Sequence, residues 1–432
     1  MRKFHLLLAV TLAFITHATA QTNGITTPVL KEAAPEAAGM SADRLARIDQ
    51  LFKEYVDKKW VPSVTAMVVR DGKIVYYKTA GYDNPDKKSG LHRDDIYRIA
   101  SQSKAITSVA VMILYEEGKF LLDDPISKYI PEFSKPTVLD SLNLKDSTYS
   151  TKLAKREITI RDLLTHTSGI GYAQIGDDKM NAIYGKSGIP SGIGVEPGKI
   201  LATEIKKLAK LPLMHEPGAK FTYGLNTDVL GYLVEVVSGK SFNDFLRERI
   251  FEPLGMQDTY FYLPKKKYDR LTTVTLEDSM KRIVVVKSTY HGFNVNYPNT
   301  QGTYFSGGAG LSSTAYDYAI FLQMMLNGGI YNGHRILSRN AVRMMTMSQL
   351  RDIPYGDGNS TFGLGFGIIT EKGSAILPVR EGTYQWGGYW GTTYWVDPKE
   401  RIVGQIMTQH EDDTHGDLFD KFKVLVYQAI ND

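Results

Sequence analysis

Hydrophobic and polar positions follow two different periods along this chain. Behind Ser41, apolar residues recur every three or four positions between 42 and 52, which predicts a capped amphipathic helix. Two β-rich runs follow, Val64 to Val69 and Lys73 to Lys78, and Asp71-Gly72 between them predicts a hairpin. The chain therefore opens with a helix and two antiparallel strands.

A second helical pattern covers Ser101 to Glu117. Its apolar positions repeat at three and four residues, which predicts a buried helix: Ile106, Val109, Ala110, Ile113 and Leu114. The helix begins with Ser101-Gln-Ser-Lys104, the chain's one Ser-x-x-Lys sequence. Residues three apart lie on the same helix face, so Lys104 is expected to lie over Ser101.

The middle and the end of the chain differ in pattern. The pattern over residues 125–330 predicts mainly helices and loops. Within this region, residues 176–201 are rich in Gly, Ser and Pro, which predicts a loop that extends over the surface. Residues 264–302 give no clear prediction. The last hundred residues return to strand patterns and a final helix, Leu418 to Ile430. We predict an α+β domain over 41–430. Both termini (about 41–120 and 330–430) form one antiparallel sheet flanked by helices, and a mainly helical region (about 121–330) is inserted in its middle.

Composition and the first residues limit the functional classes. The chain has 432 residues, 43% of them hydrophobic, a net charge of +4 and no cysteine, which excludes disulfides and a thiol nucleophile and gives no sign of nucleic-acid binding. A basic start, an apolar run from Leu6 to Ile15 and Ala18-Thr-Ala20 predict a signal peptide over 1–20, with 21–40 as a leader. We expect an exported protein, periplasmic or secreted, with no transmembrane segment in the mature chain.

Ser101 and Lys104 have the chemistry of a nucleophile and its base. A serine hydroxyl is a weak nucleophile near neutral pH, and a lysine can activate it when burial disfavours the charged ammonium. The same spacing also occurs by chance on solvated helix surfaces. Here the flanking residues are apolar, which favours a buried pair.

Three motifs in order resemble the serine hydrolases related to class C β-lactamases and penicillin-binding proteins: Ser101-x-x-Lys104, Leu122-Asp-Asp-Pro and Leu164-Thr-His-Thr-Ser-Gly. The family's second active-site element corresponds to Tyr223-Gly-Leu-Asn226. The resemblance covers nearly all of 36–430 and implies the β-lactamase/transpeptidase-like fold. It implies that Tyr223 is an active-site base, as in family VIII carboxylesterases. Asn226 stands one residue later than the family's asparagine. It is a candidate for substrate binding, although its place before a helix favours helix capping.

The third family element, Lys-Thr-Gly on an edge strand, is replaced here by Trp386-Gly387-Gly388, which again resembles the esterases. The resemblance implies substrate binding along this strand, with the amides of Ser101 and Tyr389 as the oxyanion hole. The alternative is a glycine-rich strand that only packs. Trp386 carries no charge for a substrate carboxylate, and Arg380, the nearest upstream cation, is expected to be a surface arginine.

Other chemistries have weaker support in the sequence. No Gly-x-Ser-x-Gly, phosphate-binding loop or dinucleotide fingerprint occurs, and His166 is expected to be structural. His410 to His415 lack the spacing of a zinc motif and predict an exposed polar loop. The predicted mechanism needs no metal or cofactor.

The sequence thus predicts a serine hydrolase that forms an acyl-enzyme on Ser101 and acts on a small ester or amide, with esters favoured. A β-lactamase, a D-Ala-D-Ala carboxypeptidase or a D-amino-acid peptidase is the alternative within enzymes. A binding protein of the same fold without turnover is the alternative outside them. The oligomeric state is left open.

Overall fold

A computed structural model gives the fold and describes residues 27, 29–143, 145–146, 148–411 and 414–432. The predicted signal peptide and the first part of the leader lie outside the described residues. None of the described helices is both long and apolar enough to cross a bilayer.

The strands of the described residues, in chain order, are β1 (Lys31–Glu32), β2 (Ser63–Arg70), β3 (Lys73–Asn84), β4 (Ser89–Gly90), β5 (Tyr97–Arg98), β6 (Thr137–Asn143), β7 (Thr148–Leu153), β8 (Thr275–Glu277), β9 (Ile283–Val285), β10 (Thr289–Tyr290), β11 (Phe293–Asn294), β12 (Ser312–Ser313), β13 (Ile330–Tyr331), β14 (His334–Arg335), β15 (Ser360–Phe362), β16 (Gly367–Ile369), β17 (Tyr384–Gly388), β18 (Thr392–Asp397), β19 (Ile402–Met407) and β20 (His410–Glu411).

The α-helices of the same residues are α1 (Ala42–Asp57), α2 (Ser103–Glu116), α3 (Ile160–Leu164), α4 (Asp178–Lys186), α5 (Leu201–Leu208), α6 (Asn226–Ser238), α7 (Phe242–Leu246), α8 (Glu252–Leu254), α9 (Ala315–Leu326), α10 (Arg339–Met345), α11 (Glu371–Ser374) and α12 (Asp417–Tyr427). A π-helical segment, Arg247–Phe251, joins α7 to α8. Short 3-10 helices lie at Pro35–Ala38, Ala100–Gln102, Ile126–Lys128, Pro131–Phe133, Lys265–Arg270 and Tyr297–Asn299.

One large sheet combines the two ends of the chain. Its strands run in the order β1-β3-β2-β19-β18-β17-β16-β15, with β4 added to β3. Apart from the parallel β1, the neighbours in this path are antiparallel. β2 pairs with β19 along its length, so the N-terminal hairpin continues directly into the C-terminal strands. The predicted sheet built from both termini is confirmed.

The hairpin of β2 and β3 also forms where it was predicted. Asp71 and Gly72 both have positive φ, 51° and 74°, as a two-residue turn of the right twist requires. A glycine adopts this conformation without cost, and aspartate tolerates it better than most residues.

Helices cover both faces of the sheet. On one face α1 and α12 pack through Ile48, Phe52 and Phe422 against Trp395 of β18. On the other face α9 packs against β2, β18 and β19. Beyond the sheet, α2 packs against α6, and its residues from Ser103 to Leu114 are all buried. A helix that is buried on every side lies in the centre of a domain, and this one places the Ser101 region at the core.

The inserted region contains more than helices. The hairpins β6–β7, β8–β9 and β10–β11 all lie within it, and none of them was predicted. Residues 176–201 are also more than a surface excursion: Met180, Tyr184 and Ile193 are buried in the core. That prediction was wrong because glycine and proline here shape tight turns between packed apolar residues.

Candidate active site

The nucleophile candidate lies at a junction between two helices. Ser101 is part of the 3-10 helix Ala100–Gln102, and α2 begins at Ser103. Ala100 before it has a φ of +42°, a conformation that side-chain-bearing residues rarely adopt, and is buried. Ser101 itself is partly exposed to solvent. The chain thus turns sharply to present the hydroxyl from a buried backbone.

Lys104 lies over Ser101 as the spacing predicted. Its side chain is 1% exposed, and its Nζ lies 3.1 Å from the Oγ of Ser101. The same ammonium donates to the Gly308 carbonyl at 2.8 Å and lies 4.5 Å from the centre of the Tyr223 ring. It is therefore held in a fixed position by a carbonyl, a hydroxyl and an aromatic face.

A second tyrosine, which the sequence did not point to, also contacts the lysine. The hydroxyl of Tyr172 lies 3.1 Å from Lys104 Nζ, and its ring lies 5.6 Å from that of Tyr223. Burial and the neighbouring Tyr223 hold the pKa of Tyr172 well above the ordinary value for tyrosine, so the phenol is neutral. Its only sequence signal is its place three residues after Gly169, in the loop that follows the Thr-His-Thr-Ser-Gly turn.

Tyr223 reaches the site on a loop held against that turn. Its hydroxyl accepts a hydrogen bond of 3.3 Å from the Nε1 of Trp386. A Cβ on Gly224 would lie 2.0 Å from the Ile170 carbonyl oxygen, so only glycine allows the two loops to approach this closely. The neighbouring Thr222 amide donates to the His166 carbonyl at 2.7 Å.

Asn226 has neither of the roles that the sequence suggested. It is the first residue of α6, behind Leu225, and its side chain makes no capping bond. The side chain is fully buried, with Nδ2 2.9 Å from His166 Nδ1 and Oδ1 accepting from the Ser168 hydroxyl. Asn226 cannot cap α6, because the helix already begins at this residue. Its side chain is buried and connects two loops, so it does not face a substrate.

His166 is structural, as expected. It adopts a φ of +56° in the middle of the turn and is completely buried. Burial, together with the positive charge of Lys104, holds the pKa of His166 well below the ordinary value for histidine. The imidazole is therefore neutral and adds no charge to the site.

The strand β17 passes directly beside the nucleophile. A Cβ on Gly388 would lie 2.4 Å from the Ile99 carbonyl oxygen and 2.3 Å from Thr392 Oγ1, so only glycine fits between the 3-10 helix and the next strand. At Gly387 a Cβ would meet only the Thr392 carbonyl, at 3.2 Å. For the amides of Ser101 and Tyr389 to form the predicted oxyanion hole, β17 must lie close to the 3-10 helix, and Gly388 permits this close approach.

Two groups of apolar side chains lie beside the site. An aromatic group continues from Tyr223 and Trp386 through Phe362, Phe221 and Tyr355. Beside Ala100, a second apolar cluster is formed by Ile193, Val274, Phe293, Val295, Ala309 and Trp390, with Tyr389 and Tyr290 at its edge. Residues 176–201 and 264–302 thus meet next to the nucleophile, where the Asn294 amide donates to the Gly194 carbonyl at 3.1 Å.

Arg380, the cation that the sequence singled out, lies away from Ser101 and Lys104. Arg380 pairs with Glu400 at 2.7 Å and lines a separate surface cavity with Lys399 and Tyr427, as expected of a surface arginine. His410 is buried in β20 with its Nδ1 2.9 Å from Thr275 Oγ1, so the prediction of an exposed loop was wrong for this residue. Within the described ranges no group of three or more potential metal ligands occurs.

Comparisons with known proteins place this geometry among related chains. Residues 48–428 match the family model described as beta-lactamase. Protein Rv1367c of Mycobacterium tuberculosis is 33% identical over 372 residues, which cover 83% of this chain and 88% of that protein. Esterase EstB of Burkholderia gladioli is 28% identical over 382 residues, covering 84% and 90%.

A solved structure has the same fold. EstCE1, described as a hydrolase with promiscuous acyltransferase activity, superposes with a TM-score of 0.75 at 25% identity. The alignment covers 89% of this chain and 99% of that one. The resemblance drawn from Ser101, Lys104 and Tyr223 is confirmed at the level of the family and the fold.

Proposed function

This chain belongs to the β-lactamase family and is a serine hydrolase, and we propose that it is a carboxylesterase that prefers uncharged esters. The observation that carries the proposal is Trp386, which stands on β17 beside Tyr223 where a β-lactamase would have a lysine. An indole cannot pair with the carboxylate of a β-lactam or a peptidoglycan peptide. The aromatic and aliphatic walls around it suit an apolar ester.

The proposed reaction proceeds in two steps. Ser101 Oγ attacks the ester carbonyl carbon, and its proton passes to Lys104 Nζ, 3.1 Å away, which takes part in this step as the neutral amine and becomes the ammonium. The tetrahedral oxyanion is held by the amides of Ser101 and Tyr389. When the intermediate collapses, the ester bond breaks and the proton is transferred to the departing alkoxide, which leaves as the alcohol.

Water completes the cycle. It attacks the acyl carbonyl, gives up a proton to the same base, and releases the carboxylic acid as the proton returns to Ser101 Oγ. Tyr223 is the second group proposed to share this proton. Its hydroxyl is oriented by Trp386, and its ring covers the ammonium of Lys104.

The experiment is hydrolysis of p-nitrophenyl butyrate by the purified protein, beside Ser101→Ala and Ser103→Ala. Ser103 is the matched control because its buried Oγ accepts the Leu311 amide at 3.1 Å and does not face the site. We expect turnover and fluorophosphonate labelling that vanish only in Ser101→Ala. Labelling that persists in Ser101→Ala contradicts the assignment of the nucleophile.

Substrate charge tests the esterase assignment itself. p-Nitrophenyl hemisuccinate has an acyl chain of the same length as butyrate, but it ends in a carboxylate. We expect kcat/KM to be at least about tenfold higher for the butyrate, and Trp386→Lys to narrow that gap by attracting the carboxylate. Rapid turnover of a penicillin, with no ester hydrolysis, would instead assign the protein to the β-lactam or D-peptide alternative.

We also propose that the protein is exported, on the pattern of Arg2, the apolar run from Leu6 to Ile15 and Ala18-Thr-Ala20. Expression in a Gram-negative host followed by N-terminal sequencing of the periplasmic fraction tests this. A mature chain starting at Gln21 supports the proposal, and retention of Met1 in the cytoplasmic fraction contradicts it.

A further inference from the structure

A buried carboxyl group lies close to the reactive lysine and has no part in the reaction described so far. Asp228 is the third residue of α6, the helix that packs against α2, and it is 0% exposed. Its Oδ1 accepts the Tyr304 hydroxyl at 3.4 Å, a long contact. Within the described part of the chain, Oδ2 has no well-aligned hydrogen bond, although the Ser306 hydroxyl and the Gly308 amide lie beside it. A buried carboxyl with so little support is costly and calls for a reason.

The glycine turn at Gly307 and Gly308 connects this carboxyl to the lysine. The Gly308 carbonyl accepts from Lys104 Nζ at 2.8 Å, while a Cβ on the same glycine would lie 2.5 Å from Asp228 Oδ2. The Thr107 hydroxyl donates to the Gly307 carbonyl at 2.7 Å and fixes the turn to α2. The ammonium and the carboxyl thus contact the same residue from two sides.

Among the titratable groups that the structure describes close to Lys104, Asp228 is the one that carries a negative charge near pH 7. Burial raises the pKa of Asp228 to about 6, opposed by Ser306, Lys104 and Tyr304, so the carboxyl is mainly ionised at pH 7. Burial also raises the pKa values of Tyr172 and Tyr304 well above the ordinary value, so both phenols are neutral. Glu204 lies farther out and acts on Tyr304.

We propose that Asp228 is a positioning residue for the hydrolysis, which holds the Gly307–Gly308 turn against Lys104 and balances the positive charge that Lys104 gains when it takes the proton of Ser101. In this role Asp228 sets the pH range over which Ser101 is activated. The inference rests on the proposed function in one respect, that Lys104 is the group that activates Ser101.

The test is the pH dependence of Ser101 labelling by a fluorophosphonate, which needs no knowledge of the natural substrate. Asp228→Asn removes the negative charge and keeps the shape. Because the proton on Lys104 is then easier to remove, we expect the whole rate profile to move to lower pH by about one unit. A purely structural role for Asp228 would lower the amount of folded protein without moving the profile.

Asp317 offers a matched control. It is the third residue of α9, as Asp228 is of α6, and burial likewise raises its pKa to about 6. Its Oδ2, however, accepts the Asp258 amide at 2.7 Å and the Thr259 hydroxyl at 3.0 Å, contacts outside the site. We expect Asp317→Asn to change stability and leave the labelling profile where it is.

A second variant covers the case in which Asp228→Asn does not fold. Tyr304→Phe removes one donor to the carboxyl and should move the profile in the same direction by a smaller amount. Profiles that do not move in either variant, or that move equally in Asp317→Asn, overturn the role of Asp228 while Ser101 labelling still supports the hydrolase. A wild-type protein that is not labelled at Ser101 overturns the proposed function and this inference together.

Discussion

The indole Nε1 of Trp386 donates a hydrogen bond of 3.3 Å to the hydroxyl of Tyr223. This bond joins the last part of the sheet to the loop before α6, two regions that are distant in sequence. The rings of the two residues also pack at 5.6 Å. In the proposed esterase Trp386 would have two roles: it would orient Tyr223, and it would stand where the related β-lactamases have a lysine for a substrate carboxylate.

Removing this hydrogen bond should slow the reaction without emptying the site. Trp386→Phe keeps an aromatic ring against Tyr223 and Phe362 but has no N–H donor. We expect kcat to fall about three- to tenfold with little change in KM, as for the loss of one hydrogen bond of about 0.5–1.5 kcal/mol. Trp395→Phe, a buried tryptophan that packs on Phe422 on the other face, is the control and should keep its kcat. Equal losses in both variants would mean that only packing was disturbed.

Tyr172 should prove as important as Tyr223, although no sequence motif marked it. Tyr172→Phe removes a hydroxyl 3.1 Å from Lys104 Nζ. Hydrogen bonds to charged groups are worth about 1.5–3 kcal/mol, so kcat/KM should fall about ten- to hundredfold. The control is Tyr184→Phe, because the Tyr184 hydroxyl is also buried but donates to the Pro212 carbonyl at 3.2 Å. Wild-type kinetics in Tyr172→Phe would remove this residue from the site.

Gly388 and Gly387 form a natural pair for testing the oxyanion hole. Gly388→Ala places a Cβ against the Ile99 carbonyl, which cannot move aside, so the strand must shift away from Ser101. We expect kcat to fall about 10²- to 10³-fold, as for the loss of one oxyanion donor. In Gly387→Ala the new Cβ would contact only the Thr392 carbonyl, at 3.2 Å, so kcat should fall less than about tenfold. The comparison is made by single-turnover kinetics, and similar losses would contradict a special role for Gly388.

Stability should depend on pH through Asp317. Burial raises the pKa of this carboxyl from 3.8 to about 6, so the folded state holds a proton that the unfolded chain releases near pH 4. This contribution to stability is present below pH 4 and is lost as the pH rises through about 6. Between pH 4 and pH 7.5 the free energy of unfolding of the wild type should therefore fall by about 2–3 kcal/mol more than that of Asp317→Asn. Urea unfolding at the two pH values measures this, and parallel changes in both proteins would contradict it.

The sequence predicted those parts of the fold that depend on local pattern. The hairpin at Asp71-Gly72 and the buried helix after Ser101 follow from turn chemistry and from apolar spacing, which act between near neighbours. The placement of Lys104 over Ser101 follows from helix geometry alone. Local pattern alone did not predict that Trp386 and Gly388 lie beside Ser101, and that prediction required the order of motifs in a known family.

The contacts that the sequence did not predict are between distant segments. Tyr172 has the same local pattern as any tyrosine in a loop, and only the folded chain brings its hydroxyl to Lys104. The position of Asn226 before a helix favours a helix cap, but in the folded chain its side chain bonds inward to His166 and Ser168 of the Thr-His-Thr-Ser-Gly turn. Ile193 and Phe293 lie in segments whose sequence has no clear periodicity, and they are buried because the folded chain brings both into the apolar cluster beside Ala100.

The sheet built from both termini has a consequence for the order in which activity is acquired. The ends of the domain are in contact, with the Asn431 amide on the Gly39 carbonyl and the Gln428 side chain on the Arg44 carbonyl, 384 residues apart. Such pairings give the fold a high contact order, which slows folding. Ser101 and Lys104 are synthesised early, but the strand that lies beside them comes from the last part of the chain. A growing polypeptide therefore carries Ser101 without the strand that completes its surroundings, and we expect hydrolysis to begin only when synthesis is nearly complete.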